Sequence, residues 1–408
     1  MRIAMVSEHA SPLAALGDVD AGGQNVHVGE LSAALARLGH DVTVYTRRTD
    51  PVSADRIEHD RGYAVVHVPA GPPRSIPKDE LYPYMGEFGQ RLAESWQVDP
   101  PDMAHAHFWM SGLASVLAGR IVDVPVAQTY HALGTVKRRF QRKADTSPAE
   151  RIGIERMIGR HAVQVIATCT DELRELVRMG VRRDRISVIP CGVDVAEFHP
   201  DGPAAPRSAP HRLLAVGRLV PRKGYDLAIK ALPGLPDTEL VIAGGPPAGD
   251  LGADDEARRL VALADRLGVA DRLRLLGQVA RADMPALFRS ADAVVCTPWY
   301  EPFGIVPVEA MACGVPVVVT PVGGLTDTVV DGVTGLHVPA DPKRLCRALR
   351  ELLASPCRRG SLGAAGRDRT RSSYTWHRVA TETAGAYERL LPEHLVSVVD
   401  TRLSGEAT

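Results

Sequence analysis

Trp299-Tyr300-Glu301-Pro302-Phe303-Gly304-Ile305-Val306-Pro307-Val308-Glu309-Ala310-Met311-Ala312-Cys313-Gly314 decides the architecture. The apolar run Ala293-Val294-Val295-Cys296 before it reads as a strand. The stretch itself then reads as a short loop running into a helix. Gly304 permits close backbone approach, and Pro307 is tolerated in a first turn, where no helical donor is lost. Gly314 stops the helix as a C′ glycine does. Strand, loop and helix in that order form one unit of a parallel α/β sheet. Glu301 and Glu309 therefore flank a helix N-terminus, one on the loop and one in the early turns. Free N–H groups and the positive dipole end at such a terminus favour phosphate. Carboxylates are acceptor-only groups, which suits sugar and ribose hydroxyls. The spacing alone fits equally well an ordinary α/β unit with two surface glutamates.

The same pattern recurs upstream. Arg212-Leu213-Leu214-Ala215-Val216 is strand-like, Gly217-Arg218-Leu219-Val220-Pro221-Arg222-Lys223-Gly224 is a loop, and Tyr225–Leu232 has helical character. Arg218 and Lys223 both follow a strand end and can face one anion, and fixed cations stabilise a departing diphosphate. Leu240–Ala243, Leu273–Leu276 and Pro316–Val319 are further strands. Helices are expected over 254–267, 342–354 and 358–371, with a last helix to about Leu391. The segment Pro200–Pro210 has four prolines and no period, and it reads as the domain linker.

Before that linker, Ile3–Val6, Asp41–Thr46, Ala64–Val68, Met103–His107 and Val124–Thr129 read as strands. Helices lie between them at 26–38, 79–97 and 112–120. Alternation of this kind means a parallel sheet covered on both faces, with ligands at the carboxyl ends of the strands. Gly22-Gly23 precedes the first helix and lets backbone N–H groups reach a phosphate, although it is not a G-x-G-x-x-G dinucleotide fingerprint. His105 and His107 share a strand face, but no third ligand follows at a recognisable spacing, so no metal is expected. Lys137, Arg138, Arg139, Arg142 and Lys143 form a basic run that reads as a solvated helix face, with recognition of an acidic acceptor or of anionic lipid as the alternative.

At 408 residues the chain has room for two domains, and its 45% hydrophobic and 24% charged content is ordinary for a globular protein. A net charge of −1 gives no support for nucleic acid as a partner. The six cysteines are not spaced as a zinc ribbon or a redox pair and read as free thiols, which points to the cytoplasm. The N-terminal apolar run breaks at Ser7-Glu8-His9, too soon for a signal peptide, and no stretch reaches membrane-spanning length. A peripheral membrane contact and a homodimer both stay open.

Four strings resemble one family. Glu-Pro-Phe-Gly at 301–304, followed by Glu-Ala-Met-Ala-x-Gly-x-Pro-Val-Val from Glu309, resembles the signature of retaining glycosyltransferases of family four. Gly217-Arg218-Leu219-x-x-x-Lys223-Gly224 resembles that family's diphosphate-clamping loop. Asp20-Ala21-Gly22-Gly23-Gln24-Asn25 resembles its first donor loop, and Thr129-Tyr130-His131-Ala132-Leu133-Gly134 the loop whose histidine contacts the transferring sugar. The N-terminal half is most similar to the N-acetylglucosamine transferases of mycothiol synthesis. His105-Ala106-His107-Phe108-Trp109 adds a likeness to sucrose-phosphate synthases.

The resemblance implies a GT-B fold, two Rossmann-like parallel-sheet domains facing a central cleft. They would span residues 1–200 and 201–375, and 376–408 would hold a helix crossing back to the first domain and then a frayed tail. It implies a retaining transfer of a hexosyl-type sugar from a nucleotide-diphosphate sugar, such as a UDP or GDP sugar, to a small polar acceptor. No cofactor or metal beyond the donor is implied. Arg218, Lys223, Glu301 and His131 would carry the chemistry. Gly22, Gly23, Asn25, Val279, Phe303, Gly304, Ile305 and Glu309 would join Arg218, Lys223 and Glu301 in holding the donor. Lys78, Phe108, His131 and Arg151 would face the acceptor.

Two positions depart from the mycothiol-type pattern. Phe108 stands where a tyrosine would be and Ala132 where a threonine would be, so two hydroxyl donors to an acceptor phosphate are missing. Each hydrogen bond lost to a charged group costs about 1.5–3 kcal/mol. A cyclitol, an aminoglycoside-like intermediate or a sugar is therefore expected as acceptor, with inositol phosphate as the alternative. A GT-B phosphorylase and a non-catalytic sugar-nucleotide-binding protein are the rival functions.

Overall fold

In the computed structural model, which describes residues 1–13 and 23–390, contacts divide the chain into two units. One unit comprises Met1–Pro190 together with the chain from Trp376 onward, and the other is Cys191–Thr375. The first contains β1 (Arg2–Val6), β2 (Asp41–Arg47), β3 (Arg56–Glu58), β4 (Ala64–Val68), β5 (Met103–His107), β6 (Val126–Thr129), β7 (Gln164–Ala167) and β8 (Ile186–Val188). They form an 8-stranded sheet in the order β3-β4-β2-β1-β5-β6-β7-β8. Every pairing is parallel except β3 with β4, an antiparallel edge. β5 is buried at every position, as a strand covered on both faces must be.

The second unit contains β9 (His211–Val216), β10 (Thr238–Ala243), β11 (Leu273–Gly277), β12 (Ala293–Cys296), β13 (Val317–Val319) and β14 (Gly335–His337). These form a 6-stranded, fully parallel sheet in the order β11-β10-β9-β12-β13-β14. Its core is built from Leu213, Ile229, Leu240, Ile242, Val318 and Leu349, all essentially excluded from water.

In both sheets the chain runs outward from a central strand and then returns to that strand's other side. The first sheet reverses between β1 and β5, the second between β9 and β12. Crevices beyond the carboxyl ends at such reversals are where open α/β sheets bind ligands. Val6 and His107 end the first pair of strands, Val216 and Cys296 the second.

Several boundaries differ from the sequence expectation. The unit boundary falls at Pro190, ahead of the proline-rich segment, because residues after it pack on the second unit. The Phe198 ring lies 5.9 Å from Phe288. Arg289 donates to the carbonyls of His199 and Pro203, and Ala205 N–H donates to Ala286 O. Prolines lose a donor but keep a carbonyl, so this segment is pinned where a loose linker was expected. Pro77 and Pro83 replace the first turn of the expected 79–97 helix with two 3-10 turns, and the α-helix runs Met85–Val98. The last helix, Trp376–Glu388, packs on helix Gly23–Arg37 within the first unit. The expected frayed tail lies outside the described residues.

Candidate active site

In the second unit the loops after β9, β12 and β13 meet. Gly224, at φ 68°, lies so close to the β12 loop that a Cβ there would sit 1.9 Å from Thr297 O. Thr297 Oγ1 donates to Gly224 O, and Trp299 N–H donates to Arg222 O. These contacts bring Lys223 Nζ to 2.6 Å from Glu301 Oε2, each side chain 18% exposed. Gly324 N–H then donates to Glu301 O, and Thr328 Oγ1 donates to Phe303 O. Burial by itself would raise the Glu301 carboxyl. Lys223, then Arg222 and Arg218, overcome it and hold the group below the usual range. The result is a carboxylate among three cations at the carboxyl edge of the sheet.

Gly304 caps helix Ile305–Ala312 in the left-handed region, at φ 94°. Phe303 is buried and Ile305 half-buried. Glu309 faces inward at 7% exposure. Burial pushes its carboxyl up to about 7, against the pull of Arg281, whose Nη1 is 3.1 Å from Glu309 Oε1. Arg281 also pairs with Glu197 at 3.1 Å and lies over the Phe198 ring. Sequence reasoning did not find Arg281. It sits just beyond Val279 on the loop after β11, and a lone loop arginine carries no signal. Val279 itself is half-buried at the same edge, where Gly244 N–H donates to Gly277 O and fixes the turn.

The first unit gathers histidines at its own reversal. His107 ends β5 and His131 follows β6; His107 Nδ1 lies 3.0 Å from His131 Nε2. His27, from helix Gly23–Arg37, meets the His131 ring edge-on with centroids 5.0 Å apart, and Trp376 covers His27. His105 lies against the His107 ring, with centroids 4.2 Å apart, and its own nitrogens meet Thr129 Oγ1 and the Tyr387 hydroxyl. Phe108 and His131 both take positive φ, 79° and 58°. Non-glycine residues hold that conformation only where surroundings enforce it. Burial lowers every one of these imidazoles, His27 to about 4 and His105 to about 3, with His107 and His131 well below the ordinary value. All four are therefore neutral at pH 7, able to hydrogen-bond a hydroxyl but not to donate a strong acid's proton. Among the described residues, His107 Nε2 is buried without a hydrogen-bond partner.

The third histidine that spacing did not reveal is His27, since His27, His107 and His131 place ring nitrogens within 4.8 Å of one another. Nitrogens around one tetrahedral zinc sit about 3.3 Å apart, so the trio would have to contract to hold one.

Gly22 lies outside the described residues. Gly23 opens the first helix, and Asn25 is buried with its amide donating to Ser11 O. Gln24 ties the ends of β1 and β5, donating to Ser7 Oγ and His107 O. Lys78 Nζ and the Arg151 guanidinium lie 5.6 and 5.0 Å from the Phe108 ring centre. Arg151 also donates to Ala132 O, beside His131. In the basic run, Lys137 pairs with Asp145 and Arg139 with Glu175, while Arg138, Arg142 and Lys143 are exposed.

Residues 21–197 match the family described as Glycosyltransferase Family 4, and residues 203–369 match Glycosyl transferases group 1. The chain is similar to the D-inositol 3-phosphate glycosyltransferase of Xylanimonas cellulosilytica, at 36% identity over 95% of this chain and 96% of that protein. The protein of the same description from Kineococcus radiotolerans is 35% identical over 96% of each. The solved sucrose-phosphate synthase of Thermosynechococcus elongatus matches with a TM-score of 0.87 at 32% identity, covering 95% of this chain and 98% of that one. Relatives this close along nearly its whole length, together with its two parallel-sheet units, mean that the chain belongs to the glycosyltransferases of family 4, with the GT-B fold.

Proposed function

We propose that the protein is a retaining glycosyltransferase that moves a hexosyl-type sugar from a nucleotide-diphosphate sugar to a hydroxyl of a small polar acceptor. The observation that carries this reading is the Lys223–Glu301 pair at the reversal of the second sheet. It sets a cation of the kind that suits a diphosphate directly beside a carboxylate of the kind that suits sugar hydroxyls. Glu309 would hold the ribose. Glu301, with the backbone at Phe303, Gly304 and Ile305, would hold sugar hydroxyls, and the Val279 loop would hold the base. Lys223 and Arg218 would stabilise the charge that grows on the leaving diphosphate, with the Gly22-Gly23 backbone assisting.

The bond between the anomeric carbon and the phosphate oxygen breaks, and the bond to the acceptor oxygen forms on the same face. The acceptor proton passes to the departing phosphate oxygen, so no protein base and no cofactor are needed. His131, being neutral, would orient a hydroxyl rather than ionise. Among the described residues no helix is long and apolar enough to cross a membrane. The substrates proposed are water-soluble, in keeping with a cytoplasmic enzyme.

The names of the 34–36% identical relatives favour a second reading, with inositol 3-phosphate as acceptor; the resemblance to mycothiol-type enzymes adds N-acetylglucosamine as the sugar. Melting of the protein with UDP, GDP, ADP and their sugar conjugates tests donor binding. A ligand at a hundred times its Kd adds about 2.7 kcal/mol. NMR of the product then gives the anomeric configuration. Inversion, or dependence on inorganic phosphate in place of a nucleotide sugar, would refute the proposal.

A further inference from the structure

Helix Pro342–Leu353 of the second unit turns two faces to different surroundings. Leu345, Leu349 and Leu352 enter the core. Lys343, Cys346, Arg347 and Arg350 stand three and four positions apart, so they share another face. That face lines a groove whose other wall is the end of helix Tyr225–Ala231, which supplies Lys230, and Gly234 in the turn after it. The groove encloses about 320 Å³, at the small end of the range for ligand pockets. None of its lining residues belongs to the candidate active site.

The walls are fixed. A Cβ built on Gly234 would sit 2.5 Å from Cys346 Sγ, so the two walls touch at the floor. Arg272 donates to Leu235 O at 2.7 Å and holds the turn. Arg350 Nη2 donates to Gly234 O at 3.0 Å and lies 3.6 Å from Cys346 Sγ, which sets its guanidinium in place.

Four cations line the groove and no carboxylate does. The nearby carboxylates are engaged. Asp226 pairs with Lys230 at 2.7 Å, and Glu351 faces Arg358 at 3.8 Å. Asp341 caps the helix, accepting from Arg344 N–H. Among the described residues Lys343, Arg347 and Arg350 have no carboxylate within ion-pair distance. Asp226 offsets one of the four charges, so three stay uncompensated around one cavity. The whole chain carries a net charge of −1, which makes this a local concentration. Like charges held together repel, and one anion of several charges relieves the repulsion. Arginine and lysine donors suit phosphate oxygens in particular. A flat basic surface would suit a membrane, whereas cations curved around a small cavity suit a compact solute.

We propose that this groove is a second anion site, which takes a small soluble molecule carrying two or more linked phosphate groups.

Half-buried Cys346 reports on the groove, and exposed Cys357 serves as the reference. The full chain is alkylated with iodoacetamide, with and without pyrophosphate, and each thiol is followed by mass spectrometry. Pyrophosphate at ten times its Kd should slow alkylation of Cys346 about tenfold and leave Cys357 unchanged. The double variant Lys343→Gln, Arg347→Gln changes exposed positions and should melt with the unaltered chain. It should need at least about tenfold more pyrophosphate for the same protection. Arg138→Gln, Arg142→Gln removes the same charge from the first unit and should behave as the unaltered chain does. Equal protection by potassium chloride at matched ionic strength overturns the inference, as does undiminished protection in the groove variant. Binding to phosphatidylglycerol vesicles without protection by pyrophosphate overturns it in favour of a membrane surface.

Discussion

Lys223 Nζ lies 2.6 Å from Glu301 Oε2, joining the loop after β9 to the loop after β12 across the strand reversal. Each residue restrains the other, because Glu301 would otherwise be a carboxyl raised by burial. Removing one partner leaves the other partly buried and uncompensated. Lys223→Ala should therefore abolish the nucleotide-dependent rise in melting temperature. It should also lower turnover by about 100–1,000-fold, as expected when a preorganised charge facing the leaving group is lost. Glu301→Gln keeps the shape and releases Lys223. It should leave affinity for the free nucleoside diphosphate unchanged or improved while kcat falls. Parallel loss of diphosphate affinity in both variants would contradict this division of roles.

Glu309 supplies a pH dependence. Its carboxyl is raised by burial from the model-compound value of 4.5 to about 7 in the folded chain. A raised carboxyl contributes stability below its unfolded value, and that contribution is lost as pH rises through about 7. The full span is on the order of 3 kcal/mol. Glu309→Gln should remove this slope between pH 4.5 and 7 in denaturation experiments. Donor binding that needs the ionised carboxylate should instead strengthen as pH rises through about 7. Arg281 opposes the burial effect, so Arg281→Met should push the binding transition to higher pH. An unmoved transition would show that Arg281 does not tune Glu309.

The sheets and most helices were legible because their signal is local. Apolar runs such as Leu240–Ala243 and glycine stops such as Gly314 are written in a few consecutive residues. The Lys223 and Glu301 loops were legible as strings, and the strand order explains why they meet. Arg281 and His27 were not legible. Arg281 reaches Glu309 from a loop 28 positions away in sequence, and His27 joins His131 from the helix that follows β1. Contacts of that kind depend on the order in which strands pair, which no periodicity encodes. The proline-rich segment misled for a related reason: its composition describes the free chain, whereas Arg289 and Arg212 bind its carbonyls.

The histidine group makes the first unit sensitive to acid. His27 is lowered by burial to about 4 and His105 to about 3, from an ordinary 6.5. A lowered histidine contributes stability above 6.5, and that contribution is lost as pH falls toward the folded value. Stability should therefore decline from pH 6.5 to about 4. His27→Phe, which retains a ring against Trp376, should make the decline shallower. An unchanged slope in that variant would place the acid sensitivity elsewhere.

Gly224 tests whether the loop contact positions the chemistry. Its φ of 68° and the 1.9 Å approach of a built Cβ to Thr297 O exclude a side chain without movement. Gly224→Ala must push the β9 loop away from the β12 loop, and Lys223, the next residue back, moves with it. Strain and overpacking together should cost about 2–3 kcal/mol of stability. Gly39→Ala is the control: Gly39 also has positive φ, 86°, but nothing lies within 4 Å of its Cβ position. It pays the conformational strain without the collision and sits in the other unit. Gly224→Ala should lower both melting temperature and nucleotide affinity, whereas Gly39→Ala should lower melting temperature alone. Full nucleotide affinity in a folded Gly224→Ala protein would mean that Lys223 reaches the diphosphate without the help of this contact.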